Sequence, residues 1–117
     1  MLYYAVPQKG VSDRENIDFS AIDIQLPATH ANVAEISLTG RYPETGFALN
    51  RESEMIVRVL EGSTTFSCEG EEVELSAGAT VLVQTHKKYC WIPNSSVRLL
   101  VFSTPAWTSE QHDTIPT

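Results

Sequence analysis

The chain has 117 residues, 42% of them apolar, with 15 acidic against 8 basic residues and a net charge of −7. That length predicts one domain with one core, since a chain of this size hides roughly two-thirds of its unfolded surface. The charge excludes nucleic acid as a partner, because no Lys/Arg stripe offsets repulsion by phosphate. The longest apolar runs, such as 99–102, are too short to span a membrane.

Residues 1–31 read as an irregular N-terminal extension, punctuated by Pro7, Gly10, Ser12, Asp13 and Asn16. The opening MLYYAVPQKG has neither a basic stretch nor a long apolar one, so no signal peptide is expected. Within the extension, "FSAIDIQLP" predicts one early strand packing on the domain and ended by Pro27. Ile22, Ile24 and Leu26 share one face of it, with Asp23 and Gln25 on the other.

Residues 32–117 form the domain proper, and nearly all of it reads as strand. "NVAEISL" alternates. "EMIVRVL" follows and is closed by Glu61-Gly62; "STTFSC" is closed by Glu69-Gly70. "EEVEL", "ATVLVQ", "YCWI" and "VRLLVFS" come next, separated by Ala77-Gly78, by His86 to Lys88, and by Pro93-Asn94-Ser95. Turns every 8 to 12 residues or so predict an all-β sandwich or barrel. Met55, Val57 and Val59 share one face of their strand, while Ile56 and Leu60 make the other face apolar too. Leu100 and Phe102 do the same opposite Val97, Leu99 and Val101. A strand apolar on both faces needs a cover, so a homodimer is expected. Cys68 and Cys90 lack CxxC or CxxH spacing and read as free thiols in a reducing cytoplasm. The basic knot His86, Lys87, Lys88 reads as a solvated turn.

The order of these pieces, from Glu35 to His112, resembles the cupin family. The resemblance implies a double-stranded β-helix, or jelly-roll, barrel of the small single-domain type. Gly62 matches the glycine that closes the family's first motif, and Gly78 the one that opens its second. Tyr42-Pro43, Asn50-Arg51, Pro105-Ala106-Trp107 and Gln111-His112 are further small-cupin features. The metal-binding residues of those motifs are replaced. The family's Glu reads as Met55, and its His-x-His as Leu49 and Arg51 or Ala48 and Asn50. Its Pro-x-Gly reads as Gln84, Thr85 and His86, and its last His as Tyr89. A transition ion wants three or four imidazole, carboxylate or thiolate groups converging at about 2.0–2.3 Å. His30 (before the barrel), His86 (on a turn) and His112 (in the tail) share no spacing that would rebuild such a set. The expectation is a metal-free, cofactor-free barrel.

Strand parity then furnishes one mouth of the barrel with Met55, Tyr89 and Trp91, with Asn50 or Arg51, and with Arg41 and Tyr42 nearby. An aromatic cavity with polar hooks suits a small organic ligand, sugar-like or, through an arginine fork, a carboxylate or phosphate. Trp107 reads as a lid or tail anchor. Two alternatives stand beside the binding cupin. One is an enzyme, either metal-dependent or an acid–base isomerase or epimerase with Tyr89 as acid, for which no inward histidine is evident. The other is a structural barrel filled solid by its own side chains. A shared fold does not choose among them.

Overall fold

The computed structural model describes residues 14–16, 19–24 and 30–116. Its strands are β1 (Arg14–Asn16), β2 (Phe19–Ile24), β3 (Asn32–Leu38), β4 (Phe47–Asn50), β5 (Glu54–Cys68), β6 (Glu71–Ser76), β7 (Thr80–Val83), β8 (Tyr89–Thr104) and β9 (His112–Ile115). One 3-10 turn, Ser109–Gln111, precedes β9. Among the described residues no helix is long and apolar enough to cross a membrane. Most of the N-terminal extension, including Gln25, Leu26 and Pro27 of the early strand, lies outside the described residues.

The architecture is all-β, and two strands organise it. The first half of β5 pairs with the second half of β8 and with β7, and β3 and β2 extend that layer. The second half of β5 pairs with the first half of β8 and with β6. On this side β4 pairs with β8, and β9 with β4. The sequence divides β5 at Gly62 and β8 at Pro93-Asn94-Ser95. Both instead run through as single bent strands that serve both layers. Register shifts between Val59 and Glu61, and between Gly62 and Thr64, mark β-bulges that turn β5 round the barrel corner. Gly62 sits at that corner with φ 80°, and a Cβ there would lie 2.1 Å from the Ser96 carbonyl oxygen. Only glycine fits so close an approach. Glu69 and Gly70 both have positive φ, as a two-residue hairpin turn from β5 into β6 requires.

Alternation sets the core. Leu38, Val57, Val59, Leu99 and Val101 from one layer meet Phe66, Tyr89 and Trp91 from the other. Full burial of each such side chain stabilises by about 1.5–3 kcal/mol. Cys68 stands opposite Tyr89 and Ser67 opposite Cys90, so the two cysteines project from opposite faces of their strand pair. Both are free thiols.

The face of β2 differs from the hydrophobic reading. Ala21 is fully buried, and Phe19 and Asp23, which share its parity, face the interior cavity. Ile22 and Ile24 turn to the other side. The reason is register: Ala21 and Asp23 stand opposite Ile36 and Ala34, inner-face residues of β3. Ala34, the partner of Asp23, lines the same cavity.

Candidate functional site

A cavity lies between the two layers, with ≈ 60 Å³ open to the centres of water molecules, so that the space a ligand can fill is larger. Ala34, Ile36, Val57, Leu99 and Val101 make an apolar floor. Beside them an aromatic arch crosses from one layer to the other. Phe19 stacks on Tyr42 with ring centroids 5.1 Å apart, and Tyr42 stacks on His112 at 6.1 Å. Trp107 meets His112 edge-on at 5.5 Å. Met55, Tyr89 and Trp91 complete the wall.

His112 reaches this arch because the tail folds back. Gln111, nearly fully buried, accepts at Oε1 from the backbone N–H groups of Glu52 (2.9 Å) and Ser53 (2.7 Å). Its Nε2 donates to Ser53 Oγ (2.7 Å), whose hydroxyl donates to the Pro105 carbonyl (2.7 Å). This latch seats β9 beside β4, with His112 directly opposite Asn50. On the outer side Arg51 donates to the Asp113 carboxylate and to the Glu110 carbonyl. That pairing holds the Asp113 carboxyl below its ordinary range.

Asn50, 2% exposed, ties the site together. The Trp107 indole N–H donates to its Oδ1 at 3.0 Å, and His112 Nδ1 lies 2.7 Å from the same atom. An indole N–H can only donate, so the amide presents its oxygen here. His112 Nδ1 therefore carries the hydrogen, and in the neutral ring Nε2 is an acceptor. The Tyr42 hydroxyl, 2.7 Å away, donates to it. One buried amide thus sets both the tautomer of His112 and the direction of the Tyr42 hydrogen bond. Burial pushes the Tyr89 phenol far above its ordinary value; the nearby Tyr42 adds to this, and a hydrogen bond from Asn50 opposes it. Tyr89 is a neutral phenol across physiological pH.

Of the residues singled out in the sequence, Tyr42, Met55, Tyr89 and Trp91 line the cavity, and Asn50 stands behind it. Arg41 and Arg51 do not line it. Arg41 donates to the Pro43 carbonyl (2.7 Å) and lies over the Phe47 ring. Arg51 follows inward Asn50 by one residue, so strand parity turns it to solvent and Asp113. The reason for expecting a carboxylate or phosphate goes with them. His112, dismissed from sequence as a tail residue, is an inward histidine. His30 and His86 are exposed, on loops. Sequence reasoning also missed Phe19, Asp23, Asn32, Ser103 and the inward placing of Trp107. The one available signal was the Pro105-Ala106-Trp107 and Gln111-His112 pair itself. Among the described residues no three His, Cys, Asp or Glu side chains converge at metal-ligating spacing.

No family model matches the chain, and no curated protein matches it by sequence. Solved structures do match. Pac13 from Streptomyces, described as a unique nucleoside dehydratase, superposes with a TM-score of 0.77 at 17% identity, covering 90% of this chain and 85% of that one. Variants of Pac13 with a His replaced by Gln, or a Tyr by Phe, were solved with uridine. KdgF from Halomonas matches with a TM-score of 0.73 at 12% identity, over 87% of this chain and 94% of that one. An RmlC-like cupin from Shewanella frigidimarina matches with a TM-score of 0.74 at 13% identity, over 88% and 90%.

Proposed function

We propose that this chain, a barrel of the small cupin fold, binds a small organic molecule in its cavity and moves a proton to or from it through Tyr42 and His112. The observation that carries the reading is the 2.7 Å hydrogen bond from the Tyr42 hydroxyl to His112 Nε2 in the cavity wall. A phenol donating to a neutral imidazole is a ready proton relay. Neutral His112 takes the phenol proton as the Tyr42 oxygen draws a proton from the ligand, and the imidazolium so formed returns its proton through Tyr42 to a leaving or carbonyl oxygen, which restores both groups. Tyr89, held neutral, is a second donor on the same wall. Elimination of water and isomerisation both need this acid–base work. The likeness to a nucleoside dehydratase, solved with uridine in His and Tyr variants, supports that class of reaction over passive binding.

A thermal-shift screen of neutral sugars, nucleosides and their dehydrated or epimeric relatives tests the reading. A binder at 100 times its Kd should add about 2.7 kcal/mol of stability. Tyr42→Phe and His112→Gln should weaken that binder by about tenfold or less, since each removes one hydrogen bond. Turnover of a converted compound should fall about 10²- to 10⁴-fold in the same variants. If no compound moves the midpoint, or both variants turn over normally, the proposal is wrong.

Self-association is part of the same reading. Leu82, Ile56, Phe102 and Val33 stand in register across β7, β5, β8 and β3 on the outer face, and Ile24 continues the row on β2. Leu82, Ile56 and Phe102 are 55%, 46% and 38% exposed. A row five strands wide runs roughly 19 Å at the spacing of paired strands, and burying it against a second copy supports a dimer. Sedimentation at tens of micromolar should give a dimer for the native chain and a monomer for Ile56→Lys; a native monomer would remove the inference. The free thiols of Cys68 and Cys90 favour a reducing compartment for it.

A further inference from the structure

One end of the cavity is polar in a specific way. Asp23 on β2 stands opposite Ala34 on β3, and two residues along the same face of β3 comes Asn32. Asn32 stands opposite Ser103 on β8, and all three side chains line the cavity. The backbone N–H of Trp107 donates to Asn32 Oδ1 at 3.0 Å, which orients that amide. Its NH₂ end is then the part with donors to offer. Ser103 is 3% exposed. Among the described residues that line the cavity, Asp23 is the one carboxylate, and there is no Lys or Arg.

We propose that Asp23, with Asn32 and Ser103, is the specificity-determining end of the cavity and selects a neutral ligand bearing hydroxyl groups on one side and a flat ring on the other. The inference rests on the cavity being a ligand site, as proposed above. A carboxylate only accepts, an amide NH₂ only donates, and a serine hydroxyl does both. Of the common ligand groups, a hydroxyl also does both, so a pair of hydroxyls satisfies this end. A phosphate only accepts and is repelled by Asp23. An ammonium would pair with Asp23 but offers no acceptor to the Asn32 NH₂, whereas a hydroxyl satisfies both. The carboxylate has about four acceptor positions, so ligand hydroxyls join the contacts it already makes within the fold. The other end of β2 supplies the ring site. Phe19 is four residues from Asp23 on the same face, about 13 Å away at the rise of a strand. It stacks there on Tyr42. Asp23 and the Tyr42–His112 pair thus belong to opposing walls, with the ligand between them.

The test is calorimetric titration of four probe classes against the native protein, Asp23→Asn and Ser103→Ala. The classes are neutral nucleosides and aryl glycosides, their phosphate esters, their hydroxyl-free counterparts, and benzylamines. Binding is expected in the first class. Asp23→Asn should weaken it about 10- to 100-fold, the range for hydrogen bonds to a charged group, and Ser103→Ala by less. Asp23→Asn should also improve binding of the phosphate esters. Tightest binding by a phosphate ester, a hydroxyl-free analogue or an amine overturns this inference and leaves the proton-relay reading standing. So does a neutral binder indifferent to both variants. If no class binds, both fall.

Discussion

Phe66→Ala is expected to destabilise the protein by about 3–5 kcal/mol, the range for deleting a large buried aromatic side chain. Phe66 is 5% exposed on the second half of β5. Its ring centroid lies 4.4 Å from that of Trp91 and 6.4 Å from that of Tyr89, both in tilted geometry. Such ring pairs stabilise by about 0.5–1.5 kcal/mol beyond their buried area. The loss should appear in urea unfolding as a lower midpoint at unchanged slope. Phe66→Leu, which keeps most of the volume, should cost far less. Because Trp91 and Tyr89 wall the cavity, the alanine variant should also loosen any ligand that the native protein holds. A loss below about 1 kcal/mol would show that the layers do not close on this side chain as described.

Asn50→Ala should cost about 2–4 kcal/mol, nearly as much from a far smaller change. Removing the amide strands the Trp107 indole N–H and the His112 Nδ1–H and takes a hydrogen bond from Tyr89. An unsatisfied buried polar group costs roughly 1–3 kcal/mol, and water can reach the half-buried members of this set. Asn50→Asp separates packing from chemistry. It keeps the oxygen that both donors need and adds a negative charge beside the imidazole. A nearby opposite charge favours the cation, so the His112 pKa should rise above its native value in this variant. Protonated His112 no longer accepts from the Tyr42 hydroxyl, so any activity that needs neutral His112 shifts to higher pH. Titration of the His112 ring protons by NMR checks the direction. A native-like titration in Asn50→Asp, or a native-like melt in Asn50→Ala, would show that this amide does not hold the site.

The inward faces of β5 and β8 were legible because alternation is a local property. Met55, Val57 and Val59, like Val97, Leu99 and Val101, declare a shared face whatever surrounds them. The strand count was less legible. A glycine or proline between two apolar runs reads as a turn, yet Gly62 sits in a bulge of a continuous strand, and the Pro93 segment lies within β8. A turn and a bulge draw on the same residues, and only pairing with a neighbouring strand distinguishes them. Asn50 and Arg51 were equally good candidates from motif spacing, because one gap in the alignment exchanges their faces. Pairing of Asn50 with His112 decided for Asn50.

Taken alone, then, the sequence determined an all-β barrel, the core faces of its long strands and an aromatic interior, since period-two alternation and turn chemistry act over a few residues. The tertiary structure alone decided the candidate site. His112 enters it through the Gln111–Ser53 latch, formed 58 residues apart along the chain. Asp23 enters it because β2 docks on β3 with its small and acidic face inward, against the preference of Ile22 and Ile24. Such placements depend on long-range contacts whose free energy no local pattern encodes, so the residues best suited to chemistry here are those that hydrophobicity would have sent to the surface.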